Sequence, residues 1–330
     1  MAAVKSIEVL SPGLQTTIQD LGRFGYGHYG VPPSGAADAF SFRIANRLVD
    51  NSEDSACLET TLMGLRLKAL TEVCIAVTGA DLQLQINKQP LKMWCSHLLK
   101  KGDILSFGGP RNGCRAYVAF GGGIIMPSVL GSRSTNLFSG FGGISGRSLQ
   151  KGDCLSIDSP ATKLPMAGRL LKSKWVPQYP SLWTLRVIWG PQDDDFTSKG
   201  KRTLTHTVFG VSSQSDRSGI RLEGAKIQRK RDTAESIVSE GLISGSIQVP
   251  GDGKPIIILG ETVSGGYRKI ATVITADLHL LGQIKPGDKI QFAAITLKEA
   301  HRVLEKTIHR MNNLDVLLNS QEGLPEHITF

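Results

Sequence analysis

Apolar and polar residues alternate in short runs along much of this chain. Leu82–Ile86 reads LQLQI, Lys289–Phe292 alternates nearly as well, and Ile104-Leu105-Ser106-Phe107 does so less cleanly. A period of two over four or five residues predicts half-buried strands. A local pattern recurs three times: Lys101-Gly102-Asp103 before Ile104–Phe107, Lys151-Gly152-Asp153 before Cys154–Ile157, and Pro286-Gly287-Asp288 before Lys289–Phe292. Each Gly-Asp pair predicts a tight turn from which a strand leaves. The same turn is common in β proteins, so the recurrence alone does not distinguish a repeat from a shared local solution.

Two segments carry a helical period. Ala36–Val49 places Phe40, Ile44 and Leu48 on one stripe, with Ser34 and Gly35 as the expected start. A second helix is expected from Thr296, where Thr296 and Glu299 stand at capping-box spacing, and it runs past Leu304, Ile308, Met311 and Leu314. Between Ala161 and Trp183 the chain is Pro-rich and basic with little period of either kind, as a linker would be. The pattern predicts a mainly β protein with a few helices, of the α+β class. Its divisions are an N-terminal domain over 1–165, a second over 166–295, and a packing helix and tail over 296–330.

Composition changes this picture little. With 330 residues, 40% hydrophobic and 20% charged, the chain has the balance of an ordinary soluble globular protein, and 37 glycines suit many turns. The net charge of +9 raises nucleic acid as a partner. However, the densest basic run, Gln228–Arg231, is followed at once by Asp232, and no basic stretch is interleaved with aromatics. The charge favours an anionic ligand or an acidic partner instead. Cys57, Cys74, Cys95, Cys114 and Cys154 form no CxxC and read as reduced core residues of a cytoplasmic protein. The opening Met1–Lys5 lacks the apolar core of a signal peptide, and no apolar run approaches the ~20 residues of a membrane span. No metal ligand spacing is present among the histidines.

The chemistry concentrates in glycine-rich stretches. Neither GxxxxGK[ST], HExxH nor GxSxG occurs, and Gly25, Gly27 and Gly30 match GxGxxG but run into Val31-Pro32-Pro33 instead of a helix. His28 in that loop is the one histidine with a functional setting. Just before it, Gln19, Asp20 and Arg23 offer an amide, a carboxylate and a guanidinium, a set that can orient a carboxylate or carbamoyl group. Equally, Asp20 and Arg23 can pair and simply hold the loop. Gly131-Ser132-Arg133-Ser134-Thr135 lies between glycine runs as an anion cradle or as a self-bonded loop. Farther on, Gln248 ends an expected strand, and Gly265-Gly266 precede Tyr267, so that backbone N–H groups can approach a developing oxyanion. In Ser215-Asp216-Arg217-Ser218-Gly219 an Asp–Arg turn pair is the simpler reading.

Taken in order, GLQTTIQDLGRFGYGHYGVPPSGAADAFSFRIANRLV from Gly13, LETTLMG from Leu58, TGADL from Thr78, GSRSTN from Gly131, SDRSGIRLEG from Ser215, SGSIQVPGDGKPI from Ser244, GGYRKIATVITADL from Gly265 and GQIKPGDKIQF from Gly282 resemble one family. It is the biotin-dependent carboxyltransferase/allophanate hydrolase subunit 2 family, and the likeness runs from about Ile7 to Phe292. Its members include the 5-oxoprolinase C-subunit, the antagonist of a sporulation-kinase inhibitor and the carboxyltransferase region of urea carboxylase.

The resemblance implies two cyclophilin-like β-barrel domains and one half of a composite site, completed by an allophanate hydrolase subunit 1-type protein. In the oxoprolinase arrangement a third, lactam-handling subunit joins and ATP drives the opening of 5-oxoproline to glutamate. In the carboxylase arrangement carboxybiotin donates its carboxyl to an amide nitrogen. No biotin-attachment lysine is visible, so biotin would arrive on another protein. The resulting expectation is a subunit inactive alone, acting on a small amide or lactam, with neither nucleic acid nor membrane as partner. Arg23, Arg133, Gln248 and Tyr267 would polarise or position substrate, with Asp20 orienting Arg23. Gln19, Ser134, Thr135, Gly265 and Gly266 would shape the site. A carboxyltransferase half or a non-catalytic regulatory module are the alternatives.

Overall fold

The computed structural model describes residues 4–158, 160–313 and 318–319. They gather into two compact units. One holds the described residues up to Arg23, from Ser34 to Tyr179, and from Asn312 on; the other holds Phe24–Pro33 and Pro180–Met311. The chain is mainly β with a few helices.

In the first unit a six-stranded antiparallel sheet runs in the order Cys154–Ser156, Lys5–Pro12, Leu65–Ala69, Ile104–Phe107, Leu84–Ile86, Gln89–Pro90. The second sheet begins Gln15–Gln19, Cys57–Thr61, Arg115–Phe120, Val73–Gly79, Cys95–Leu99 and continues to Leu170–Leu171 and Leu318–Asn319. One core joins both: Ile7, Val9, Leu67 and Leu105 from the first meet Ile18, Leu58, Val77 and Val118 from the second. Burial of these branched side chains is the main force holding the sheets together.

Helix α1 (Ala39–Leu48) covers the second sheet at Val73–Gly79 and Arg115–Phe120, burying Phe40, Ile44 and Leu48 as the period predicts. It starts later than expected. Asp38 is the N-cap, its carboxylate accepting Ser41 N at 3.0 Å, while Ser34 and Gly35 adopt φ of 54° and 88° and turn the chain ahead of the helix.

The second unit contains a closed barrel in the order Leu182–Trp189, Arg268–Val273, Ser246–Val249, Ile256–Ile258, Gly219–Glu223, Phe209–Val211, Lys289–Ala294. Closure is made by parallel pairing of the outer two, from Leu182↔Lys289 to Val187↔Ala294. Trp183, Leu185 and Val187 point inward, as do Ile290 and Phe292 opposite.

All three Gly-Asp turns are strand entries, and all three are built alike. Gly102, Gly152 and Gly287 have φ of 94°, 89° and 86°. Each following Asp accepts the backbone N–H three residues back: Asp103 from Lys100 (2.8 Å), Asp153 from Gln150 (2.7 Å) and Asp288 from Lys285 (3.1 Å). Glycine supplies the left-handed backbone and aspartate the acceptor.

Helix α2 (Ser198–His206), capped by Thr197, has no counterpart in the sequence reading, because only Gly200 and Leu204 of it are buried. Helix α3 (Leu297–Asn312) begins with the expected capping box: Glu299 Oε2 accepts Thr296 N at 2.8 Å and Thr296 Oγ1 accepts Glu299 N at 3.2 Å. Its packing differs from expectation. Ala300 is its buried residue, with Val303 beside it, while Ile308 is 49% exposed; Leu314 lies outside the described residues. The segment expected as a linker holds two 3-10 turns, Pro160–Met166 and Ser173–Trp175, and Leu170 pairs with Cys95.

Candidate functional site

The sequence-derived site residues form two groups, one in each unit. In the first, strand Gln15–Gln19 ends at Asp20, which is 5% exposed and faces the loop Gly131–Thr135. Ser132 Oγ donates to Asp20 Oδ1 (2.6 Å), Arg133 N to Oδ2 (2.5 Å) and Ser134 Oγ to Oδ1 (2.5 Å). Gly22 N donates to the same Oδ1 at 2.8 Å. A buried carboxylate is thus compensated by a shell of hydroxyl and amide donors.

Arg23, 2% exposed, holds the same loop by its carbonyls: Nη2 donates to Ser134 O at 2.5 Å and Nε to Val129 O at 3.4 Å, with the guanidinium 4.7 Å above the Phe141 ring. Asp20 and Arg23 therefore both serve the loop, one as acceptor and one as donor. Thr135 joins through its N–H and Oγ1, both bonded to Ile18 O, and Gln19 Nε2 donates to Thr17 Oγ1 and Thr135 O. Gln19 Oε1 is buried with no partner among the described residues.

The strapping leaves Arg133 half-buried. Its Nε donates to Met126 O at 3.1 Å, and it lines a cleft of about 420 Å³ with Ser55, Gly122, Gly123, Asp54 and Asp158. Gly142 explains one glycine of the run. At φ 72°, a Cβ there would stand 2.1 Å from Ser134 O and 2.9 Å from Arg23 Nη2.

In the second unit, Gln248, 4% exposed, donates Nε2 to Tyr267 O at 3.1 Å. A Cβ on Gly265 would lie 2.7 Å from that nitrogen, so the glycine lets the amide pass. Tyr267 is 42% exposed. Gln248 is thus brought to Gly265 and to the Tyr267 backbone, whereas Gly266 faces Ile237 O and Ser239 Oγ. His28 stands apart from this group's hydrogen bonds, exposed in a 3-10 turn against Tyr29. The Asp–Arg turn pair at 216–217 is not formed. Asp216 Oδ1 accepts Ser218 N and Gly219 N, and Arg217 pairs with buried Glu261 at 3.0 Å, because the longer side chain reaches across the fold while the short one caps its own turn.

The sequence profile described as "Carboxyltransferase domain, subdomain A and B" matches residues 29–294. The chain belongs to the carboxyltransferase domain family. It is 34% identical over 315 residues to the 5-oxoprolinase C-subunit of Escherichia coli K12, covering 93% of this chain and 99% of that protein. Urea amidolyase of Lachancea kluyveri is 37% identical over 322 residues, covering 91% of this chain but 17% of that much longer protein. The solved structure of Kluyveromyces lactis urea carboxylase superposes with a TM-score of 0.88 at 32% identity, over 98% of this chain and 31% of the other.

Within this carboxyltransferase-family chain, sequence reasoning missed the residues beside Gln248. Lys269, paired in register with Gln248, has a side chain only 7% exposed, and its Nζ lies 2.5 Å from Glu240 Oε2. Gln192 Nε2 donates to the same oxygen at 2.9 Å. The Lys269 hydrogen bond and, secondly, that from Gln192 hold the Glu240 carboxyl below its usual range. The available signal was a lysine inside the apolar strand sequence RKIATV.

Among the described residues no group of three or more His, Cys, Asp or Glu is placed to hold a metal, and no helix is long and apolar enough to cross a membrane.

Proposed function

We propose that this chain is one subunit of a cytoplasmic, ATP-dependent 5-oxoprolinase-type complex. It would complete a composite site with a subunit 1-type partner and a lactam-handling third chain, and be inactive alone. The observation that carries this reading is the relationship to the 5-oxoprolinase C-subunit, which the chain covers almost end to end.

The reaction is addition of water across the lactam C–N bond. Water oxygen bonds to the carbonyl carbon, charge builds on the carbonyl oxygen, and the ring nitrogen leaves with a proton as the amine of glutamate, coupled to ATP hydrolysis by the complex. Fixed donors aimed at that oxygen lower the barrier. Arg133 and Tyr267 have the exposure to meet substrate; Arg23 and Gln248, both nearly enclosed, act by positioning what surrounds them. Asp20, Gln19, Ser134 and Thr135 fix the loop that carries Arg133, Gly265 makes room for the Gln248 amide, and Gly266 shapes the same segment by letting Ile237 O approach its backbone.

A second reading is favoured by the 37% identity to a urea amidolyase. In it the chain is the carboxyltransferase half of a biotin-dependent carboxylase, and carboxybiotin on a partner gives its carboxyl to an amide nitrogen.

The test is 5-oxoproline-dependent ATP hydrolysis and glutamate release by the chain reconstituted with its subunit 1-type and lactam-handling partners. Activity requiring all three chains, and falling at least about tenfold in Arg133→Ala, supports the first reading. Silence from a verified complex that consumes carboxybiotin supports the second, and silence in both assays leaves a regulatory binding module.

A further inference from the structure

In the second unit two donors converge on one carboxylate oxygen. Lys269 Nζ and Gln192 Nε2 both reach Glu240 Oε2, at 2.5 and 2.9 Å. The donors belong to the barrel side of the contact. Lys269 lies in strand Arg268–Val273, and its backbone N–H donates to Gln192 Oε1 at 3.0 Å. That bond fixes the orientation of the Gln192 amide, so its NH2 group must face Glu240. The neighbouring cation, Arg268, is committed elsewhere, to Asp195 Oδ2 at 2.6 Å and Ala234 O at 2.5 Å.

The acceptor is held differently. Glu240 sits in a separate two-stranded ribbon, two residues to a strand, pairing with Gly265, and its side chain is 48% exposed against 7% for Lys269. A nearly buried ammonium requires an anion, because leaving it unpaired in a low-dielectric setting is strongly unfavourable. The requirement does not specify which anion. A half-exposed carboxylate on a small ribbon can return to water when another carboxylate takes its place, and the charge balance around Lys269 is unchanged.

We propose that Lys269 and Gln192 form a seat for the carboxylate of a small amide acid, and that Glu240 occupies this seat as an internal stand-in until the ligand displaces it. The seat adjoins Gln248 and the Gly265–Tyr267 segment, so a bound carboxylate would set its own amide beside those groups. The choice of an amide acid rests on the function proposed above; the seat and its competitor rest on geometry alone. An internal competitor weakens the apparent affinity by the fraction of time it holds the seat. Removing it therefore has the opposite sign to removing a donor.

The experiment is calorimetric titration of the full chain with 5-oxoproline at fixed ionic strength, using 2-pyrrolidinone, which lacks the carboxylate, as control. Glu240→Gln is expected to bind 5-oxoproline about tenfold or more tighter than the unaltered chain. Adding Gln192→Ala to that variant should reverse most of the gain, Lys269→Gln should abolish binding, and 2-pyrrolidinone should be indifferent to all three. Should Lys269→Gln fail to fold, Gln192→Ala made alone, which leaves the Lys269–Glu240 ion pair in place, should still weaken 5-oxoproline binding relative to the unaltered chain, and unchanged binding would count against the seat.

Glutarate separates this inference from the assignment of function. Tighter glutarate binding in Glu240→Gln upholds the seat even if the reconstituted complex does not turn over 5-oxoproline. A folded Glu240→Gln chain that binds neither carboxylate more tightly than the unaltered chain overturns the proposal and makes the contact a structural ion pair.

Discussion

Asp20 and Ser134 hold each other twice. Ser134 Oγ accepts the Asp20 backbone N–H at 2.9 Å and donates its own proton to Asp20 Oδ1 at 2.5 Å. Two segments far apart in sequence are thereby locked at the residue that follows Arg133 in its loop.

Asp20→Ala should accordingly cost about 3 kcal/mol or more, since Ser132 Oγ, Ser134 Oγ and Arg133 N lose a charged acceptor in a site with little access to water. Ser134→Ala should cost less, about 1–2 kcal/mol, because the carboxylate keeps its other donors. Urea unfolding of each variant measures both, and equal losses would contradict Asp20 as the hub.

Gly142→Ala should be damaging out of proportion to one methyl group. The Cβ would collide with Ser134 O while φ stays at 72°, and a penalty above about 2 kcal/mol is expected from the clash and the backbone together. Gly140→Ala, with a similar φ of 68° but nothing within 4 Å of the added carbon, isolates the backbone contribution. Thermal unfolding of the two variants should rank Gly142→Ala well below Gly140→Ala.

Alkaline titration should single out two phenols. Tyr117 donates to Glu59 Oε2 at 2.8 Å and accepts Asp38 N, and burial followed by the Glu59 and Asp38 charges raises its pKa well above 10. Tyr179, beside Ser41 and Asp38, is raised chiefly by burial and then by the Asp38 charge. The folded chain keeps these protons where the unfolded chain releases them. Stability is thus unaffected below about pH 10 and falls above it, by about 1.4 kcal/mol per pH unit for each phenol. Ultraviolet titration should find both ionising only with unfolding, and Tyr117→Phe should flatten the decline.

Thiol labelling of the native chain should be confined to Cys154. It is half-buried, whereas Cys57, Cys74, Cys95 and Cys114 are buried, and burial pushes the Cys74 thiol up to about 12 and raises Cys57 as well. A chromogenic disulfide reagent at pH ~8 should titrate one thiol rapidly and all five after denaturation; rapid labelling of two or more native thiols would contradict this packing.

Local features were legible from the chain alone. The three Gly-Asp turns, the capping box at Thr296 and the apolar face of α1 each depend on residues a few positions apart, so a linear pattern contains both partners of the interaction. The gathering of Gln248 with Gly265 and Tyr267 was legible in outline, because paired glycines mark a place where something must pass close to the backbone.

The partners of charged groups were not legible. Asp20 stands three residues from Arg23 yet serves Ser132–Ser134, Arg217 passes over Asp216 for Glu261, and Lys269 meets Glu240 and not a neighbour in its own strand. Any carboxylate satisfies a cation equally well on paper. Which one does so depends on register, on side-chain reach and on what burial leaves without water. The sequence thus determined turns, caps and faces, whose energies are local, whereas only the tertiary structure decided which charges meet, because that choice is made by desolvation across the assembled sheets.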